Sequence, residues 1–197
     1  MHYQIIVIGA GAAGLSAAIY LARAGLKTLV VGTQNCSQLN SAYDIENYLG
    51  FSNGTNGKEL LRNGTKQAKK FGAMIIEKNA KKITETNSKF EIRLENGTPY
   101  SSDYIIIASG MLSSFDFASS LNLELNGKLI KINNENQTSH DKVFAAGNCC
   151  TKTRQIAKDV GDGCNAAINI IKKLKNLPSY TDYGSLEDQV QEVQQAQ

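Results

Sequence analysis

Histidine is scarce in this 197-residue chain. The two copies, His2 and His140, stand far apart and lack the spacing of a metal site; no metal ligand set is expected. Cysteine is scarce as well. Cys36, Cys149, Cys150 and Cys164 are too few, at this length, for the disulfide framework of a secreted protein. Neither sign of charge is in large excess. With 21 Lys and Arg against 18 Asp and Glu, the net charge is +3, too small by itself to argue for nucleic acid. No nucleophile elbow, carboxylate-pair motif, zinc pattern or internal repeat is present. The charge is unevenly placed. Residues 179–197 carry Asp182, Glu187, Asp188 and Glu192 and no Lys or Arg, which leaves 14 acidic against 21 basic groups in residues 1–178. The Gln-rich end after Pro178 reads as an exposed polar, acidic tail.

The run from Ile5 to Leu21 is apolar enough to imitate a signal peptide. No basic segment precedes it, its glycines are regularly placed, and Thr28-Leu29-Val30-Val31 follows at the distance of a βαβ unit. It therefore reads as a buried strand and helix of a cytoplasmic protein without a membrane segment. Tyr3–Ile8 suits a central parallel strand. Leu15–Ala24 is helical, with Gly25 as its cap, and Lys27–Val31 is the second strand. Loops occupy 32–57. Lys58–Phe71 is a helix and Met74–Glu77 a short strand. Lys89–Glu95 alternates apolar and charged residues between the turn signals Asn87-Ser88 and Asn96-Gly97. Tyr104–Ile107 is another buried strand. Leu123–Leu125 and Lys128–Ile132 flank Asn126-Gly127, a second hairpin signal. Lys142–Ala145 is the last strand and Gln155–Asn176 a long helix, with Lys172, Lys173 and Lys175 at its negative end. The fold class is α/β: a parallel sheet with helices on one face and a small β-meander on the other side.

Between the first strand and helix lies Gly9-Ala10-Gly11-Ala12-Ala13-Gly14. Gly9 permits the tight turn, Gly11 a close approach of backbone to a pyrophosphate, and Gly14 the packing of helix on strand. The helix N-terminus then offers unpaired N–H groups to the phosphates. An acidic residue commonly follows about 20 positions on to hold a ribose. Here the second strand ends in Gly32-Thr33, which leaves the ribose to backbone, Thr33 or water.

From Gln38 onward the chain resembles the thioredoxin reductase family. Gln38-Leu39 and Ile45-Glu46-Asn47-Tyr48-Leu49-Gly50-Phe51 are similar to the family loop that passes along the isoalloxazine ring. The backbone near Asn79 and Ala80 corresponds to the part that meets adenine. Asp103 to Ala108-Ser109-Gly110 resembles the crossover, and Val143 to Gly147-Asn148 the second flavin motif. Arg154-Gln155-Ile156, Gly161, Gly163 and Ala166-Ala167 resemble the last helix, whose N-terminus faces the flavin. The resemblance covers most of residues 3–177. It implies an FAD-binding Rossmann-like domain at 1–178, a homodimer through that domain, and FAD held by Gly9, Gly11, Ala12, Ala13, Gly14, Gly32, Thr33, Gln38, Leu39, Asn47, Asn79, Ala80, Ala108, Ser109, Gly110, Gly147, Asn148, Arg154, Gln155 and Ile156.

The chain departs from the family pattern in five places. Cys36-Ser37 replaces Gly-Gly, Leu49 replaces a proline, and Asn148 replaces the Asp that holds a ribityl hydroxyl. The link from Asn148 to Arg154 is about one residue short by motif spacing. Residues 111–120 stand where the family carries its NAD(P)H domain with the Cys-x-x-Cys dithiol.

Cys149-Cys150 reads either as a redox pair or as two small packed residues. Adjacent Cα atoms, about 3.8 Å apart, fall below the usual disulfide span of about 4.4–6.8 Å. Cys36, in the flavin loop, is a candidate reactive thiol. Cys164 belongs to packing, and His140, before Asp141, to a solvated turn. Lysines 66, 69, 70, 78, 81 and 82 form either a solvated face or a dock for an acidic redox protein. Two functions follow. One is a single-domain FAD oxidoreductase exchanging electrons with an outside donor or acceptor: NAD(P)H, a small dithiol, a partner protein or O2. The other is a non-catalytic flavin module or sensor.

Overall fold

In the computed structural model, residues 1–111 and 114–180 are described; Leu112, Ser113 and nearly all of the acidic tail lie outside the described residues. The elements run β1 (His2–Ile8), α1 (Ala12–Arg23), β2 (Thr28–Val31), α2 (Gly57–Lys70), β3 (Met74–Ile76), β4 (Ala80–Thr86), β5 (Lys89–Leu94), β6 (Pro99–Ile107), β7 (Leu125–Asn126), β8 (Leu129–Ile130), β9 (Val143–Ala145) and α3 (Ile156–Lys175). None of the described helices is long and apolar enough to cross a membrane.

The sheet runs β3-β2-β1-β6-β5-β4, with β9 also beside β6. β1, β2, β3, β6 and β9 are parallel, while β4 and β5 are antiparallel. The nine-residue β6 serves both parts. Ser101 and Ser102 face β5, whereas Ile105–Ile107 face β9. The meander is thus hydrogen-bonded to the main sheet through β6 and also covers one of its faces.

Successive side chains of a strand point to opposite faces, and β1 divides accordingly. Ile5 and Val7 pack with α1 and α3, while Ile6 and Ile8 pack with Ile83, Phe90, Ile92 and Leu94 of the meander; Tyr3 joins the meander side out of step, across an irregularity where the Gln4 and Ile5 N–H groups share the Lys27 carbonyl. All of the side chains so packed are buried, which is why β1 reads as an unbroken apolar run. The helices take one face and the meander curls its apolar side over the other.

One strand is unforeseen in the sequence, and two expectations need correction. β4 reads as polar in sequence because Ile83 is its one buried apolar residue, and it exists by pairing with β5. The second hairpin pairs Leu125 with Ile130 and Asn126 with Leu129, so its turn is Gly127-Lys128, one residue later than Asn126-Gly127. His140 is not solvated: only 20 % of its side chain is exposed, its Nε2 lies 3.0 Å from Glu85 Oε2, and its ring packs on Phe90.

α1 and α3 meet through backbone. A Cβ on Gly163 would lie 2.1 Å from the Ala13 carbonyl oxygen, and nearby the Ser16 hydroxyl donates to the Val160 carbonyl at 2.7 Å. Relief requires the helices to separate, at a cost of about 1–3 kcal/mol. Gly163→Ala is expected to lower the thermal midpoint by several degrees. Gly161→Ala, where a Cβ meets nothing within 4 Å, is expected to leave it unchanged or raise it. Differential scanning calorimetry of both variants checks the pair.

Candidate functional site

The site forms where β1, β2, β6 and β9 end. β1 runs into Gly9, whose φ of +118° suits only glycine, and a Cβ there would lie 2.1 Å from the Ala108 carbonyl oxygen. The chain turns through Ala10 and Gly11 into α1. Gly11, at the N-cap, supplies no side-chain bond, and the first turn carries no acidic residue. The N–H groups of that turn, which no helix partner satisfies, therefore point a partial positive charge toward the strand ends.

A cleft of about 490 Å3 crosses these strand ends. Its walls include Gly9–Ala13, Gly32 and Thr33, Gln38 and Leu39, Asn79 and Ala80, Ala108–Gly110, Gly147 and Asn148, and Arg154–Ile156. Residues as far apart as Gly9 and Ile156, 147 positions, thus meet in one groove. Two expected residues do not line it. Gly14 is buried beneath it, where a Cβ would sit 1.9 Å from the Gly9 carbonyl oxygen. Asn47 reaches it indirectly, its Nδ2 donating to Gln155 Oε1 at 3.2 Å.

At the β2 end, the Thr33 N–H donates to Asn79 Oδ1 at 3.2 Å, and Asn79 Nδ2 donates to Glu95 Oε2 at 3.4 Å. A carboxylate therefore stands behind this end of the cleft although β2 itself supplies none. At the other end Asn148 Nδ2 donates to Gln38 Oε1 at 2.9 Å, tying the flavin-type loop to the end of β9. The Arg154 guanidinium is exposed and lies 3.0 Å from Met111 Sδ.

The cleft fits a polar dinucleotide by an observation independent of motif. Among the described residues, four buried side-chain oxygens lack a hydrogen-bond partner, and three line this groove: Ser109 Oγ, Asn148 Oδ1 and Asp159 Oδ1. Orphaned buried polar atoms are costly, and a ligand rich in hydroxyl and phosphate groups can satisfy them.

Asp159 was not anticipated from the sequence. It lies in the first turn of α3, and its Oδ1 would be 3.2 Å from a Cβ on Gly147. Burial, then the nearby Asp162, push its carboxyl up to about 6, against the pull of Lys158. An acid at the start of a helix is ordinarily read as a favourable dipole partner, so nothing in the sequence marks it as a cleft residue.

The thiols divide. Cys36 is exposed, lines the cleft and sits 3.1 Å from Thr33 Oγ1. Cys149 and Cys150 do not line it. Cys149 is buried with its Sγ on the Ile107 and Ala146 carbonyls, and Cys150 Sγ is on the Gly147 carbonyl at 3.2 Å. The Cys149 contact, burial and neighbouring charge push the Cys150 thiol far up, so it stays protonated. Both are free thiols facing backbone, an arrangement that favours packing over redox exchange.

Gly11 differs from Gly9 and Gly14 in a testable way. A Cβ there meets only Ser37 Oγ, at 3.5 Å, and its φ of −86° is open to alanine. Gly11→Ala is expected to keep the thermal midpoint of the ligand-free protein while weakening FAD binding at least tenfold. Gly14→Ala is expected to lose stability outright. Titration of the stripped proteins with FAD, beside their melting curves, checks both.

The sequence matches the pyridine nucleotide-disulphide oxidoreductase family over residues 3–114 and again over 57–168. It is 38 % identical over 113 residues to a thioredoxin reductase of Rickettsia prowazekii, a match covering 57 % of this chain and 36 % of that protein. Against a thioredoxin reductase of Schizosaccharomyces pombe it is 36 % identical over 118 residues, covering 55 % and 37 %. The chain thus matches only about a third of the length of these curated relatives. Among solved structures, the atypical thioredoxin reductase TRi of Desulfovibrio vulgaris Hildenborough superposes with a TM-score of 0.82 at 23 % identity, covering 90 % of this chain and 100 % of the other. A ferredoxin-flavin thioredoxin reductase of Clostridium acetobutylicum gives 0.77 at 21 %, covering 89 % and 99 %. At such identities these two speak for the fold. The chain belongs to the pyridine nucleotide-disulphide oxidoreductase family, and its likeness within that family runs to the FAD domain of the thioredoxin reductases.

Proposed function

We propose that residues 1–178 form one FAD-binding domain of a thioredoxin reductase-like oxidoreductase that exchanges electrons with a donor or acceptor outside the domain. FAD is the cofactor of the family. The observation that carries the reading is the cleft: a glycine turn and an uncapped helix N-terminus at its centre, with orphaned buried oxygens along its walls. Gly9–Ala13 would hold the pyrophosphate against the positive end of α1. Gly32, Thr33, Asn79 and Ala80 would hold the adenosine half. Gln38, Asn148 and Arg154–Ile156 would surround the flavin half, with the start of α3 favouring negative charge there. FAD, when bound, supplies the electron transfer; these residues orient it and exclude water.

Residues 111–120 stand in place of an NAD(P)H domain in this reading. Ser120 Oγ donates to the Ile83 carbonyl at 2.6 Å, and Ala118 and the adjoining Leu121 are buried against the meander. Residues 118–121 are packed down, which leaves the side of the cleft at Met111 and Phe117 for an outside redox partner. The exposed lysines at 66, 69, 70, 78, 81 and 82 support a partner of acidic character. A homodimer belongs to the same proposal. It draws on Leu49, 97 % exposed, the stacked Tyr48 and Phe51, and an apolar groove between α1 and α2.

Two experiments test this. Anaerobic addition of NADPH, of a dithiol and of reduced ferredoxin to the FAD-loaded protein is expected to bleach the flavin band with at least one donor within minutes. A flavin that resists all three yet bleaches with dithionite makes the protein a non-catalytic module. Leu49→Asp is expected to shift a dimer toward monomer in light scattering at micromolar concentration; an unchanged mass moves the interface elsewhere.

A further inference from the structure

The cleft holds an acid where an anion is expected to sit. Asp159 Oδ1 is buried and has no hydrogen-bond partner. The Gly147 turn brings it beside the first turn of α1, since a Cβ at Gly147 would touch both Ala13 Cβ, at 3.0 Å, and Asp159 Oδ1, at 3.2 Å. It therefore borders the helix N-terminus at which the proposed function places the pyrophosphate.

Only Lys158 offsets a charge there, and it does so in part. On α3, Lys158 is drawn to Asp162, with which it is ion-paired, and Asp162 also accepts the Gly147 N–H at 3.3 Å. α1 brings no titratable group in its first turn, only Ala12, Ala13 and Gly14. The end of β9 brings Asn148 and the protonated thiol of Cys150, and the facing loop brings Gln38. Arg154, the cation at the start of α3, is exposed against Met111. The dipoles of α1 and α3 favour a carboxylate; burial and Asp162 act the other way and raise its pKa.

We propose that Asp159 couples cofactor binding to proton uptake: the dinucleotide enters with this carboxyl protonated, and the un-ionised acid donates its hydrogen to an oxygen of the ligand. The inference rests on the FAD reading above. One proton is taken from solvent for each dinucleotide bound, and none is released on the ligand, whose pyrophosphate stays ionised throughout.

The sign follows from linkage. In the free protein this acid gains its proton near pH 6. Below that pH it is already protonated and binding is independent of pH. Above it, each unit costs about tenfold in affinity until the acid ionises in the complex as well. Between pH 5 and pH 8 the dissociation constant of the native protein is expected to rise by up to about a hundredfold. Asp159→Asn, neutral at every pH and still a donor, is expected to bind FAD with a flat profile and more tightly than the native protein at pH 8.

The test is titration of flavin-stripped protein with FAD from pH 5 to 8.5, followed by flavin fluorescence. Alongside it, calorimetry at pH 7.5 in two buffers of different ionisation enthalpy counts protons. Calorimetry on the native protein needs no variant and stands even where Asp159→Asn fails to fold. Uptake approaching one proton, together with a flat variant profile, supports the coupling. Zero proton uptake, or parallel profiles in the two proteins, overturns it while leaving the FAD reading intact. Failure of FAD to bind either protein at any pH overturns the FAD reading, and this inference with it.

Discussion

Three places where backbone rests directly on backbone set the position of everything else in this molecule. Gly9 abuts the Ala108 carbonyl, Gly14 abuts the Gly9 carbonyl, and Gly163 abuts the Ala13 carbonyl. Together they clamp the ends of β1 and β6, the first turn of α1 and the early part of α3 into one small volume. No side chain could stand at any of the three contacts without moving an element. Because the clamp lies at the start of α1, that helix aims its free N–H groups at the cleft, and because α3 is part of the clamp, its first turn reaches the same cleft from the far end of the chain.

The clamp also sets the electrostatics. Two helix N-termini converge on a groove that contains few charged side chains, and the main exception is an acid. A site made of backbone dipoles and amides holds an anion without the long, flexible cations that would compete for solvent. The same poverty of charge leaves Asp159 only partly compensated, by Lys158. Its raised carboxyl pKa and the fit of the groove to a dinucleotide are two consequences of one arrangement.

Much of this was legible in the sequence where the signal is local. The glycine spacing of 9–14 after a run of four apolar residues specifies a strand, a tight turn and a helix, and those are the elements found, within a few residues at the ends. Residue pairs that meet only in three dimensions were partly reachable through family resemblance. Gln38 and Asn148, named separately, meet through a hydrogen bond, whereas Asn47 touches Gln155 rather than the cleft. β4 was illegible because an edge strand with one buried residue has no periodicity of its own; its structure comes from its neighbour. His140 was misread because a His-Asp pair in a turn looks solvated until Glu85 of β4 and Phe90 of β5 are brought beside it.

By itself, then, the sequence determined the helices, the buried strands and the phosphate-type turn. Each follows from steric and hydrophobic rules acting over a few residues: glycine's freedom at positive φ, the two-residue period of strands and the capping of helix ends. Only the tertiary structure decided how the second half of the chain completes the first. The shared strand β6, the burial of the Cys149-Cys150 thiols and the presence of Asp159 in the cleft all depend on which residues arrive beside them from distant positions. Burial and charge pairing are properties of neighbours, and neighbours more than a hundred positions apart are assigned by packing.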